Sequence, residues 1–206
     1  MIAIIDYGVG NLYSLSSSLK YLGLESVVTG KAQDLENADR IILPGVGAFG
    51  DAIGKLRRTG LVPVLDTQVA AGKPLLGICL GMQLLFDKSY EYGKFEGLGY
   101  IHGDICPLLD DFAASGLKLK VPHMGWNSLN ISRPEHPLMK NTKQGDFVYF
   151  VHSFYAKNCE DAVVATADYG ISVPGVVGRE NVCGCQFHPE KSGKMGLLIL
   201  KAFSQM

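Results

Sequence analysis

The chain has 206 residues, 47% hydrophobic and 19% charged, with a net charge of −1. That length suits a single domain, residues 1–206, with a full core, and the composition is that of a soluble globular protein. Near-neutral charge without a basic run gives no electrostatic case for nucleic acid or an anionic membrane, and no apolar stretch nears the ~20 residues needed to span a bilayer.

The N-terminal run Met1-Ile2-Ala3-Ile4-Ile5-Asp6 is too short for a signal peptide and lacks a basic start. It reads as a first strand, Ile2 to Ile5, of a cytoplasmic protein. Asn11 to Leu22 carries Leu12, Leu15, Leu19 and Leu22 at helical spacing. Ser26 to Val28 and Ile41 to Leu43 read as short strands. Ala48 to Leu56 and Leu61 to Ala71 read as helices, the second with Pro63 in its first turn. Leu75 to Ile78 is predicted to be a central strand and Leu80 to Phe86 a helix. This alternation predicts an α/β fold with a largely parallel sheet covered on both faces.

Beyond about residue 97 the pattern changes. Tyr100 to Ile105, Lys118 to Val121, Phe147 to Val151, Ala162 to Ala167, Val173 to Val177 and Val182 to Phe187 all have strand character. They predict a more antiparallel addition to the same domain. Asp110 to Gly116 and Arg133 to Gln144 read as loops, and Gly193 to Phe203 as a closing helix.

Chemistry concentrates in two segments. Gly77-Ile78-Cys79-Leu80-Gly81 follows the apolar run Pro74 to Ile78 and opens a helical pattern. That is the layout of a sharp strand-to-helix turn presenting a nucleophile, with glycines where the backbone is crowded. A lone cysteine at a helix start is usually a small buried hydrophobe. Here the flanking glycines, and N–H groups that favour a thiolate, turn the reading toward catalysis. His188-Pro189-Glu190 supplies a base and an orienting carboxylate. Pro189 favours an extended His188, and positions i and i+2 of an extended segment share a face. Cys79, His188 and Glu190 therefore form a nucleophile, base and orienter set. His102, His123, His136 and His152 compete for the base, but none carries a carboxylate two residues on.

Three other motifs carry candidate chemistry. Pro44-Gly45-Val46-Gly47 lacks the Gly-Lys-Ser/Thr of a phosphate loop. In an acyl-transfer site its backbone N–H groups, at Val46 and Gly47, can join that of Leu80 as an oxyanion hole. Asp6-Tyr7-Gly8-Val9-Gly10-Asn11 fails as a dinucleotide fingerprint because Tyr13 stands where the third glycine belongs. Cys183-Gly184-Cys185 is too tightly spaced for a zinc pair and has no second pair. The five cysteines, an odd number, read as free thiols. Neither metal nor cofactor is expected.

Gly77-Ile78-Cys79-Leu80-Gly81-Met82-Gln83 and His188-Pro189-Glu190 resemble the class I, or triad, glutamine amidotransferases. More narrowly, the chain is similar to the glutaminase subunits of imidazole glycerol phosphate synthase in histidine biosynthesis. Ile5 to Asn11, Pro44 to Gly47, His123-Met124-Gly125-Trp126-Asn127, Phe150 to Phe154 and Gln186 to Ser192 carry that narrower likeness. The resemblance implies a three-layer αβα fold and hydrolysis of glutamine to glutamate and ammonia through a thioester on Cys79. It implies glutamine contacts from Gly47, Gln83, Ser153 and Phe154. It also implies a partner, a (β/α)8-barrel cyclase docked near Asn11, His123, Trp126, Asn127 and Lys191. That cyclase would use the ammonia to make imidazole glycerol phosphate and an aminoimidazole carboxamide ribonucleotide. Low activity alone and activation in the ligand-bound complex are further implications. Trp126 sits in what reads as a loop and serves either core packing or an interface. The triad by itself leaves open a different acceptor synthase or a stand-alone cysteine hydrolase. A regulatory protein on the same scaffold could have discarded the thiol, which this chain keeps.

Overall fold

The computed structural model describes all 206 residues. In chain order the elements are β1 (Ile2–Ile5), α1 (Leu12–Tyr21), β2 (Ser26–Thr29), α2 (Ala32–Asn37), β3 (Arg40–Leu43), α3 (Phe49–Arg58), α4 (Val62–Ala70), β4 (Leu75–Ile78) and α5 (Leu80–Leu84). There follow β5 (Phe86–Ser89), β6 (Phe95–Glu96), β7 (Ile101–Pro107), α6 (Leu108–Ser115), β8 (His123–Ser128) and β9 (Asn130–Ile131). The chain ends with β10 (Phe147–His152), β11 (Phe154–Lys157), β12 (Val163–Asp168), β13 (Ser172–Arg179), β14 (Val182–Cys185) and α7 (Gly193–Phe203).

The main sheet has eight strands in the order β2-β1-β3-β4-β14-β13-β12-β9. Pairing is parallel from β2 through β14 and antiparallel from there to β9. Alternation along the strands assigns the two faces. Ala3, Ile5, Ile41, Leu43 and Leu75 pack with α2, α3, α4 and α5 in one core, while Ile2, Ile4, Ile42 and Leu76 pack with α1 and α7 in the other. Both faces of the central strands β1, β3, β4 and β14 are covered, which is why those strands read as unbroken apolar runs. At 25 cal/mol per Å², each large apolar side chain buried this way contributes roughly 1.5–3 kcal/mol. A second sheet, β11-β7-β5-β6, and an antiparallel ribbon, β8 with β10, flank the main one.

The expected α/β architecture, with its parallel half and antiparallel addition, is the one observed. Several local expectations are corrected. Lys118 to Val121 is not a strand: it has no paired neighbour and its residues are largely exposed. Asp110 to Gly116 is not a loop but most of α6. Leu108 and Phe112, one turn apart, anchor that helix, and Gly116 closes it in the left-handed region at φ 69°. The helix expected to run to Phe86 ends at Leu84, and Phe86 begins β5, because that apolar run feeds the second sheet. The last strand stops at Cys185 rather than Phe187. Trp126 lies in β8, not in a loop. The short α2, β5, β6, β9 and β11 escaped the sequence reading.

Candidate active site

The site sits at the carboxyl ends of β4 and β14, adjacent parallel strands, where α/β sheets open their crevices. Cys79 occupies the turn between β4 and α5 with φ 53° and ψ −110°, a conformation non-glycine residues seldom adopt. Two glycines make the turn possible. A Cβ at Gly81 would overlap the carbonyl of Leu43, and one at Gly77 would press on the backbone of Met82. The Cys79 N–H donates to Cys185 O at 2.8 Å, which ties the elbow to β14.

From β14 the chain continues to His188, extended at φ −100° and ψ 101°, and then folds into a short 3-10 turn, Pro189–Lys191. That turn, not a continuing strand, brings the two side chains together. His188 Nδ1 lies 2.9 Å from Glu190 Oε1, and both side chains are only 3% exposed. The same imidazole lines the cleft beside the Cys79 thiol, which itself points at Val151 O, 3.9 Å away. Burial alone would lower the imidazole pKa, but the hydrogen bonds to Cys79 and Glu190 outweigh it and push His188 up to about 9. The second oxygen of Glu190 has no partner within the chain, so the imidazole is the main stabiliser of that buried carboxylate. Asn11 Nδ2 is a more distant donor to Oε1, at 3.5 Å.

A cleft of about 340 Å³ opens over Cys79, lined by Val46, Gly47, Leu80, Gln83, Ser153, Phe154, His188 and Lys191 among others. Thus the structure gathers the expected nucleophile, base, oxyanion loop and glutamine contacts around one cavity. Gly47 takes φ 95°, which aims its peptide in a direction L side chains rarely allow. Tyr7, buried, donates its hydroxyl to the carbonyl of Pro44 at 2.7 Å and so pins the start of that loop. Burial, and after it the adjacent Cys79, holds this phenol in its protonated form.

Residues absent from the sequence reading complete the cavity. Glu91 and Tyr92 form one wall. Glu91 Oε2 accepts a 2.6 Å bond from the Phe49 N–H at the start of α3, and burial raises its pKa. Gln186, fully buried beneath Cys79, points its amide nitrogen at the sulfur, 3.8 Å away. Gln186 stood inside a segment already singled out. Nothing local in the sequence marks Glu91, which is far from every motif and placed by the second sheet.

The docking residues divide. Trp126 is 55% exposed on the outer face of β8, beside exposed Met124 and Phe147, with Tyr149 edge-on at 6.1 Å. Asn11, Asn127 and Lys191 retain accessible surface. His123 differs from the expectation: its side chain is 2% exposed and stacked between Phe150 and Tyr169. Alternation along β8 turns it inward while Met124 faces out, so it offers no surface to a partner.

The family model of the class-I glutamine amidotransferases matches residues 3–204. The chain belongs to the class-I glutamine amidotransferases. Solved structures agree at the level of fold. A glutamine amidotransferase crystal structure superposes at TM-score 0.75 with 20% identity, covering 99% of this chain and 100% of the other. PurLQS from Thermotoga maritima superposes at 0.76 with 20% identity, covering 99% and 97%. Within the class, the chain is 50% identical to imidazole glycerol phosphate synthase subunit HisH of Caldanaerobacter subterraneus subsp. tengcongensis, covering 100% of this chain and 98% of the relative. It is 51% identical to the HisH subunit of Bacillus subtilis, covering 100% and 96%. No helix is long and apolar enough to cross a membrane.

Proposed function

We propose that this chain is the glutaminase subunit of imidazole glycerol phosphate synthase and works through Cys79, His188 and Glu190. The observation that carries the reading is the strained elbow that presents Cys79 on the cleft it shares with His188, whose Nδ1 is 2.9 Å from a buried carboxylate. Half-identity to HisH subunits over the full length selects the acceptor pathway.

Glutamine lies in the cleft with its side-chain amide over Cys79. The thiolate attacks the amide carbon, and the developing oxyanion takes N–H groups from Leu80 and from the Val46–Gly47 loop. Imidazolium His188 protonates the leaving nitrogen, and ammonia departs from a γ-glutamyl thioester. Neutral His188 then deprotonates water, which hydrolyses the thioester and frees glutamate and the thiol. Glu190 holds the ring and stabilises its charged form. At the other end of the substrate, Glu91 offers a carboxylate to the α-ammonium group. Gln83 spends its amide protons on Phe154 O and Gln186 Oε1, each at 3.0 Å, which leaves its own oxygen to accept from substrate. The chemistry draws on side chains and backbone N–H groups of the chain and needs no cofactor.

The ammonia passes directly to a (β/α)8-barrel cyclase subunit, since release into water would protonate it. The heterodimer forms on the ribbon face around Trp126, where Met124 and Phe147 add exposed apolar surface. Asn11 and Lys191 frame it, and Asn127 contributes accessible surface at the ribbon's other side. The complex works in the cytoplasm, where five free thiols persist. The free subunit is weakly active, and acceptor-site occupancy activates it through the Pro44-Gly45-Val46-Gly47 loop. A paralogous arrangement, with the same chemistry serving another synthase, is the second reading.

The deciding measurement is glutamate release by the chain alone, with the cyclase barrel, and with barrel plus its ribonucleotide substrate. A large rise confined to the third condition supports the whole reading. One rate across all three rejects this acceptor and leaves the second reading.

A further inference from the structure

The inner end of the ribbon holds a buried polar chain whose direction is set by its termini. His152 and His123 are paired residues of β10 and β8. His152 Nδ1 lies 2.9 Å from the carbonyl oxygen of Phe154, and its Nε2 lies 3.0 Å from His123 Nδ1. His123 Nε2 lies 3.2 Å from Asn127 Nδ2. A carbonyl can only accept, so His152 carries its proton on Nδ1. Burial above all, joined for His152 by nearby imidazoles, lowers the pKa of His152 to about 3 and that of His123 to about 4, so both rings are neutral. A neutral ring protonated at Nδ1 has a bare Nε2. His123 must therefore donate from Nδ1 and accept at Nε2, and Asn127 must supply the proton. The amide of Asn127 is fixed the same way: Nδ2 also donates to Asp168 O at 2.7 Å, and Oδ1 accepts from Ser128 N at 2.8 Å.

The chain ends at the cleft. Phe154 O also accepts from Gln83 Nε2 at 3.0 Å, and Gln83 in turn holds Gln186, whose amide faces the Cys79 sulfur. We propose that His152 and His123 are positioning residues that fix the Ser153–Phe154 wall of the glutamine cleft, oriented from farther along β8 by the amide of Asn127. The proposal rests on the glutaminase reading of that cleft. It makes glutamine affinity, rather than the chemical step, the quantity that the histidine pair controls, and it gives Asn127 a role inside the chain as well as at a docking face.

Three variants test it. His152→Phe keeps the ring volume and removes both nitrogens. His152→Asn keeps a donor near Phe154 O but cuts the link to His123. Asn127→Asp keeps the shape and replaces the donor by an acceptor, which reverses the demand on His123. Glutamine kinetics are measured in the complex with the synthase partner, and imidazole ¹⁵N shifts are recorded on the free ¹⁵N-histidine-labelled chain. We expect KM for glutamine to rise tenfold or more in His152→Phe and Asn127→Asp with kcat changed less than threefold, and a smaller rise in His152→Asn. We expect both rings to show the Nδ1–H form in the parent chain, and His123 to lose it in Asn127→Asp. An Nε2–H signal for either parent ring overturns the proposal, as does an unchanged KM in folded Asn127→Asp. The nitrogen spectra need no turnover, so they stand even if His152→Phe does not fold. Absence of glutamate release by the unsubstituted complex would sink the glutaminase reading instead.

Discussion

His188 Nδ1 stands 2.9 Å from Glu190 Oε1 across a single 3-10 turn, and that pair is sealed from solvent while the thiol it serves faces a cleft. The carboxylate has no other close donor, so its charge and that of the imidazolium depend on each other.

Replacing Glu190 by Gln keeps the shape and removes the charge. Glutamine hydrolysis should fall by roughly 10²-fold or more, the scale of a mis-set general acid–base group, while Cys79→Ala abolishes it. Ammonia-dependent synthesis by the complex should survive both changes. Steady-state kinetics with each nitrogen source check this. Near-normal glutamine turnover in Cys79→Ala would rule the mechanism out.

The pH profile follows from the raised imidazole. Acylation needs His188 protonated, so kcat/KM for glutamine should hold through neutral pH and decline as pH rises through about 9. The linked stability has the same sign. It is fully present below the unfolded value near 6.5 and is lost as pH climbs through about 9. In Glu190→Gln the largest remaining support is the hydrogen bond to Cys79, so the alkaline limb should move toward lower pH. A profile flat to pH 10 would show that no proton on His188 is needed.

Gly47→Ala tests the oxyanion loop. There is open space for the added methyl, so any loss comes from the backbone at φ 95° rather than from a clash. Forcing the peptide away from that angle should lower kcat by about 10²–10³-fold, the worth of one oxyanion donor, with the melting temperature little changed. Equal kcat values would remove Gly47 from the hole.

Trp126→Ala probes the docking face. The side chain is 55% exposed in the free chain, so truncation should cost the isolated subunit little stability. An anchor of this kind typically contributes about 2 kcal/mol or more, so the dissociation constant for the cyclase barrel should rise roughly 30-fold. Calorimetry with the barrel subunit decides, and an unchanged constant places the interface elsewhere.

Much of this site is legible in the sequence. Gly77 and Gly81 around Cys79 announced a crowded turn, and the structure shows which carbonyl and which residue they make room for. His188 and Glu190 were paired by spacing, although the reason differs: a 3-10 turn after β14 joins them, not an extended strand. The docking role of His123 came from the family likeness alone. Alternation along β8 sends that side chain into the core between two aromatic rings.

The sequence by itself determined the alternating α/β order, the strand–turn–helix around Cys79 and the short-range partnership of His188 with Glu190. Each is set by residues within a few positions of one another, through period, glycine placement and proline. Only the tertiary structure brought Glu91, from the turn between β5 and β6, to the N-terminus of α3 on the cleft wall, Gln186 to the thiol and His123 to His152. Those contacts join residues 29 to 107 positions apart in the chain. They arise from strand register and burial, which no local pattern encodes.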